Sequence, residues 1–335
     1  MQRREFITLF GGTAATWPLA ARAQNTNKAP RRIAFLPDLY PAALEAWRAD
    51  MRVLGWIEGR DFIVMQSGIE MGSRSRNQLD EAAQRVVANK PDLIFTNTTN
   101  YALAAQRATG SIPIVMLASG YPVEAGVADS LAKPGRNVTG NTTYAETGVW
   151  GKILELLREA KPDIKRVGIL WTYVIPVFPK EEIEPAQAEL NSAARSLNLE
   201  LHIVEAANSD QVQAAVAEID EWKPGGLLLT SFLSEKARSV VTQFAVDKGL
   251  PTIVDIDVWT RIAPPHPLLC YAPLYRELVQ NATASVDKIL RGSSPGDLPI
   301  QRPRRFELIV NLKTAKAIGR DLPPVLVARA DRVIE

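Results

Sequence analysis

The chain has 335 residues, 46% of them hydrophobic, and its 39 basic and 37 acidic side chains leave a formal net charge of +2. A balance this close to zero argues against the strongly basic surface of nucleic-acid-binding and polybasic membrane-binding proteins, so we expect no nucleic-acid partner. The length exceeds what one hydrophobic core usually holds, and we expect two domains of about 150 residues each.

The N-terminal segment has the three parts of an export signal. Residues 3–4 (RR) form a twin-arginine pair, residues 6–19 are mainly apolar, and residues 21–23 (ARA) form a small-x-small cleavage site. The apolar part is too short and too interrupted by glycine to span a bilayer permanently. We therefore predict a twin-arginine signal peptide over residues 1–23, cleaved near Ala23, and a mature protein in the periplasm. The alternative is an N-terminal tail on a cytoplasmic protein.

Short apolar runs then alternate with amphipathic segments almost to the C-terminus. The runs 33–36 (IAFL), 93–96 (LIFT) and 114–117 (IVML) are nearly continuous in apolar residues, which is typical of parallel strands covered on both faces. Between them, apolar residues recur every three or four positions, as in 79–87, which predicts helices. The alternation indicates an α/β fold.

This alternation occurs twice, with the second copy about 134 residues after the first. Residues 91–97 (PDLIFTN) are echoed by 224–231 (PGGLLLTS), and 112–115 (IPIV) by 250–254 (LPTIV). We therefore predict two similar open parallel-sheet lobes joined by a hinge that includes residues 138–143. In such sheets ligands bind at the carboxyl ends of the strands, so a common cleft between the lobes is the expected site.

The segment after the 93–96 strand is the first candidate for ligand contact. Asn97, Thr98 and Thr99 join the strand to a predicted helix, and a helix N-terminus offers backbone N–H groups and a positive dipole end. Hydroxyl and amide side chains there could hold a carboxylate. The alternative is ordinary helix capping, which the same residue types perform.

Other polar and aromatic residues follow the remaining predicted strands. The further candidates are Asp38, Tyr40, Ser119, Tyr121, Thr143, Trp171, Thr172, Ser231, Phe232, Asp255, Asp257 and Tyr271. Rings at these positions could clamp a flat or apolar ligand while hydroxyls orient it, and the alternative for each ring is packing in the core or hinge. The three aspartates could bind an ammonium group or stabilise their own loops.

The sequence contains no recognisable catalytic or metal-binding motif. Cys270 is the only cysteine, and His202 and His266 lie far apart without an acidic or cysteine cluster beside them. The motifs G-x-x-x-x-G-K-[ST] and H-E-x-x-H are absent, and the one G-x-S-x-G match, residues 292–296 (GSSPG), does not follow an apolar strand run as a nucleophile elbow would. We therefore predict no catalytic residues, no metal site and no cofactor, and interpret the chain as a binding protein rather than an enzyme.

Several segments along nearly the whole chain also carry a family resemblance. They are the leader, 112–115 (IPIV), 134–140 (PGRNVTG), 152–157 (KILELL), 306–317 (FELIVNLKTAKA) and 328–331 (ARAD). In them the chain resembles the ABC transporter substrate-binding proteins of the tryptophan/tyrosine-type group. The resemblance implies a type I periplasmic-binding-protein fold, with strands crossing between the lobes and a ligand enclosed by hinge closure. We assign residues 31–143 and about 269–300 to lobe 1, and residues 144–268 and about 301–335 to lobe 2.

The chain departs from the family pattern where ligand choice would be set. Tyr121 stands where family members often have an acidic residue before Pro-Val. Residues 171–179 (WTYVIPVFP) replace a loop rich in asparagine and proline, and 264–271 (PPHPLLCY) replaces a glycine-rich segment. These changes add rings and remove a charge. The sequence therefore leaves two classes of ligand open. One is an amino acid, and the other is a carboxylated aromatic or other largely apolar molecule.

We predict a monomeric periplasmic substrate-binding protein that captures a small, aromatic or carboxylated molecule in the interlobe cleft for an ABC importer. Its expected partners are that small-molecule ligand and the ABC transporter permease in the inner membrane. Two alternatives stay open. One is a periplasmic ligand sensor subunit for a signalling partner, and the other is an exported α/β enzyme.

Overall fold

A computed structural model describes residues 29–39, 41–69, 75–144, 148–172, 180–206, 209–230, 235–257 and 266–335. The predicted signal peptide and three of the candidate ligand contacts, Tyr40, Ser231 and Phe232, lie outside these residues. None of the helices that the structure describes is long and apolar enough to cross a membrane.

The first lobe is built on five parallel strands. Its elements are β1 (Arg31–Leu36), α1 (Pro41–Val53), β2 (Phe62–Gln66), α2 (Arg76–Ala88), β3 (Leu93–Thr96), α3 (Thr99–Ala108), β4 (Ile114–Ser119) and β5 (Val138–Thr142). The sheet has the order β2-β1-β3-β4-β5, and all of its neighbouring strands run parallel.

The second lobe repeats this arrangement and extends it. Its elements are α4 (Val149–Ala160), β6 (Arg166–Trp171), α5 (Lys180–Ser196), β7 (Glu200–Glu205), α6 (Val212–Glu221), β8 (Gly226–Leu229), α7 (Glu235–Asp247), β9 (Thr252–Val254) and β10 (Leu269–Pro273). After these come α8 (Tyr275–Leu290), β11 (Phe306–Asn311), α9 (Leu312–Ala317), α10 (Pro324–Ala328) and β12 (Arg332–Ile334). The sheet order is β12-β11-β10-β9-β8-β6-β7, with β11 antiparallel to β10.

The two sheets share one topology. The order β7-β6-β8-β9-β10 in the second lobe matches β2-β1-β3-β4-β5 in the first. Both sheets are covered on both faces: in β3, Ile94 packs toward α2 and α3 while Phe95 packs toward α1 and α8. In β6, Ile169 and Leu170 likewise point into separate cores. The predicted fold of two similar parallel-sheet lobes is therefore confirmed.

Helix α8 returns from the second sheet to the first lobe. Its residues Leu278 and Val279 pack in one core with strand β1. At its ends, Arg276 forms an ion pair with Asp50 of α1, and Trp56 Nε1 donates a 2.8 Å hydrogen bond to Asp287. These contacts attach the helix firmly to lobe 1, although the strand before it belongs to lobe 2.

The lobe boundaries differ from those expected from the sequence. Strand β10 pairs with β9 and β11 in the second sheet, so the chain leaves lobe 2 after Pro273 rather than near residue 269. On the return, Gln301 still belongs to lobe 1: its carbonyl accepts from Thr142 N at 2.9 Å, and its N–H donates to Gly140 O at 2.8 Å. The chain thus passes from lobe 1 to lobe 2 after Thr143, returns to lobe 1 after Pro273, and passes to lobe 2 again after Gln301.

Candidate functional site

A chain of aromatic rings joins the carboxyl ends of the two sheets. Tyr121 follows β4 in lobe 1, and its ring centroid lies 5.1 Å from that of Tyr144 in the first connection. Tyr144 lies 5.3 Å from Trp150 of α4, which lies 5.7 Å from Trp171 at the end of β6. The strand ends of both lobes are therefore neighbours, which is where open α/β sheets bind ligands.

In lobe 1, two buried hydroxyls meet at adjacent strand ends. Thr99, the first residue of α3, places its Oγ1 2.7 Å from Oγ of Ser119 at the end of β4. The hydroxyl of Thr98 donates to Oδ1 of Asn100, and the same oxygen accepts from Tyr101 N at 3.0 Å. Thr98 is the N-cap residue, but its side chain makes no capping hydrogen bond. Its side chain therefore does not play the capping role that was the alternative.

The neighbouring candidates Asn97 and Thr143 hold strand ends together. The carbonyl of Asn97 accepts from Ala118 N at 2.8 Å. Thr143 donates to the Ser119 carbonyl twice, from its N–H at 2.7 Å and from its hydroxyl at 3.2 Å. These hydrogen bonds fix the segments that follow β3, β4 and β5, and so keep the hydroxyl pair Thr99–Ser119 in a defined position.

Lobe 2 has a corresponding hydroxyl pair. Oγ1 of Thr230, directly after β8, accepts from Thr172 N at 2.8 Å and lies 3.1 Å from Thr172 Oγ1. Both side chains are buried. The sequence predicts Thr172 as a ligand contact but not Thr230. The internal repeat carries a signal for Thr230, because this residue follows β8 as Asn97 follows β3.

The ring of Trp171 does not face a cleft as its position at a strand end suggested. The side chain is 0% exposed and packs with Trp150 in the core of lobe 2. Tyr121, in contrast, is only partly buried. Tyr271 stacks on Phe306, with centroids 5.2 Å apart, and burial together with the charge of Asp331 raises its pKa. Trp171 and Tyr271 therefore contribute to packing within lobe 2.

The three aspartates have different surroundings. Asp38 accepts hydrogen bonds from Ser67 Oγ and Gly68 N, both at 2.9 Å, and so stabilises the loop after β2. Asp255 and Asp257 are buried after β9. Burial, and then the charges of Asp257 and Asp255, raise the pKa of the Cys270 thiol well above its ordinary value.

Among the described residues no three His, Cys, Asp or Glu side chains are grouped to hold a metal ion.

The comparison with protein families decides what kind of protein this is. The model of the family described as ABC transporter substrate binding protein matches residues 68–334. The chain belongs to this family of ABC transporter substrate-binding proteins. The predicted resemblance is thereby confirmed, and the family is one of binding proteins rather than enzymes.

One curated relative and two solved structures illustrate the similarity. Over 236 residues this substrate-binding protein is 30% identical to a tyrosine-binding protein of Clostridioides difficile, an alignment that covers 70% of the chain and 65% of the relative's length. A conserved domain protein of Vibrio cholerae has a TM-score of 0.77 at 23% identity, covering 90% of this chain and 99% of its own. An ABC domain of Streptococcus pneumoniae in complex with L-Trp has a TM-score of 0.75 at 18% identity, covering 91% and 100%. These structures share its type I periplasmic-binding-protein-like fold.

Proposed function

We propose that this substrate-binding protein captures a small carboxylated molecule with an aromatic or other apolar body between its two sheets and delivers it to an ABC importer. The observation that carries the proposal is the presence of two buried hydroxyl pairs, Thr99–Ser119 in lobe 1 and Thr172–Thr230 in lobe 2, at strand ends that the ring chain brings together. Hydroxyls both donate and accept hydrogen bonds, so each pair can rearrange to hold a polar group.

The carboxylate belongs at the start of α3. Thr98 and Thr99 lie at the N-terminus of this ten-residue helix, where the backbone dipole favours negative charge. Asp255 and Asp257, buried at the opposite sheet, are the candidates for an ammonium group if the ligand is an amino acid. Tyr121 is the ring best placed to cover an apolar body, since it is partly buried and lies at the connection between the lobes.

The comparisons support an amino-acid or related ligand without fixing it. The Clostridioides difficile relative is named as a tyrosine-binding protein, and the Streptococcus pneumoniae structure contains L-Trp. A thermal-shift screen across aromatic amino acids, aromatic acids and nucleobases tests the proposal, because a ligand that binds only the folded state raises the melting temperature. A rise with carboxylated aromatics supports it, and no rise with any compound of that class contradicts it.

The lobe 1 contact is tested by the double variant Thr98→Ala, Thr99→Ala. Charge-assisted hydrogen bonds are worth about 1.5–3 kcal/mol each, so we expect affinity for the screened ligand to fall at least tenfold. Ser111→Ala is the matched control, because Ser111 is exposed beyond the opposite end of α3. Isothermal titration compares the three proteins. Equal affinities would show that this junction only supports the helix.

Export is the remaining part of the proposal. We place the protein in the periplasm as a monomer, with residues 1–23 as a removable twin-arginine signal and an inner-membrane permease as partner. Arg3→Lys with Arg4→Lys should leave the precursor in the cytoplasm. Fractionation of cells that express both versions measures this, and undiminished periplasmic protein from the variant would reject the assignment.

A further inference from the structure

An open cavity lies at the end of lobe 2 that faces away from the hydroxyl pairs. It has a volume of about 550 Å³, and its lining includes Leu312, Lys316, Arg320, Asp321, Leu322 and Val327. Strand β11 runs antiparallel to β10, so α9, which directly follows β11, begins beside the amino end of β10. The cavity is therefore separated from the candidate ligand site by the length of the sheet.

The lining combines an apolar floor with two cationic side chains. Leu312, Leu322 and Val327 supply the apolar part, and the adjacent Val325 is 67% exposed on α10. The volume falls within the range of about 300–1,000 Å³ that is usual for small-molecule sites. Such sites are mostly apolar with a few polar groups that fix the ligand's orientation.

The two cations of this cavity have no ion-pair partner among the residues that the structure describes. Neither Lys316 nor Arg320 forms an ion pair with an acid that the structure describes, whereas the nearby Arg329 pairs with Glu159 at 3.1 Å. Asp321 is the one acid in the lining, so the cavity keeps a net positive charge. A ligand with a single negative charge would complete the balance.

We propose that this cavity is a separate binding site for a small monocarboxylate with an apolar chain. Lys316 and Arg320 hold the carboxylate, since ammonium and guanidinium groups form strong charge-assisted hydrogen bonds with it. The leucine and valine side chains contact the apolar chain of the ligand. The site is independent of the ligand proposed for the interlobe cleft.

Titration of the full chain with octanoate tests this site. We expect octanoate to bind, and the double variant Lys316→Gln, Arg320→Gln to bind it at least tenfold more weakly. Lys313→Gln is the matched control, because it removes a positive charge from the exposed part of the same helix without altering the lining. Amide NMR spectra should show octanoate-dependent shifts at Gly319 and Leu322.

Three further measurements separate the possible explanations. n-Octanol, which lacks the carboxylate, and inorganic phosphate, which lacks the apolar chain, should each bind at least tenfold more weakly than octanoate. If either one binds as tightly as octanoate, the proposal that the site recognises a carboxylate and an apolar chain together is overturned. If octanoate binding is lost in Thr98→Ala, Thr99→Ala but kept in the Lys316 and Arg320 variant, octanoate occupies the cleft and the second site is refuted. The cleft proposal would survive that result. Absence of any octanoate binding would also refute the second site.

Discussion

Replacing Trp171 with alanine separates a packing role from a ligand-clamping role. The side chain is 0% exposed and contacts Trp150 within the core between β6 and helices α4 and α5. Replacement of a buried Trp or Phe by Ala typically costs about 3–5 kcal/mol, from lost transfer free energy and from the cavity left behind. Since whole domains are stable by about 5–15 kcal/mol, this loss is a large fraction of the total.

Urea unfolding followed by circular dichroism measures the effect. With a slope of about 1–3 kcal/mol per molar urea, a loss of 3 kcal/mol or more lowers the midpoint by about 1 M or more. Trp222→Ala is the control, because Trp222 is only partly buried, against His202. We expect it to cost roughly 1 kcal/mol. A Trp171 variant with unchanged stability but greatly weakened ligand binding would refute the packing assignment and restore the clamp.

Three other substitutions or treatments probe the fold around the site. Because burial raises the pKa of Cys270, native protein should resist iodoacetamide at pH 8 and react only after unfolding; rapid labelling of the native state would contradict this. Gly140→Ala should destabilise lobe 1 measurably in urea unfolding, since its φ is +136° and an added Cβ would lie 2.1 Å from Met116 O; an unchanged midpoint would argue against this geometry. Asp38→Ala should remove charge-assisted hydrogen bonds to the loop at Gly68, each worth about 1.5–3 kcal/mol, and speed limited proteolysis there; an unaltered cleavage rate would exclude that role.

The fold was predictable from the sequence because its signals are local and repeated. Buried parallel strands are nearly continuous in apolar residues, and the same strand and helix order occurs twice. The connections between lobes were less predictable. β10 follows a long segment from β9, and only its pairing with β9 and β11 shows that it completes the second sheet.

The burial of Trp171 has a physical cause that the sequence contains. Side chains alternate between the two faces of a strand, so residues two apart share a face. Val167, Ile169 and Trp171 accordingly all lie in one core, and Leu170 lies in the other. The alternation therefore favours packing, the alternative that the sequence left open for this ring.

The hydroxyl pairs were beyond prediction from sequence alone. Thr99 and Ser119 are 20 positions apart, and Thr172 and Thr230 are 58 positions apart. Their contact depends on which strands become neighbours and on the twist of each sheet. The sequence identified three of these four residues by their location after strands, but not which hydroxyls would meet.

The central claim is that one ligand contacts both lobes at their strand ends. Hydrogen–deuterium exchange with and without a ligand from the thermal-shift screen tests it most directly. We predict slower exchange at residues 97–101 in lobe 1 and at Thr172 and Thr230 in lobe 2, with little change at α9 and α10. Protection confined to a single lobe, or found only around α9 and α10, would contradict capture between the sheets.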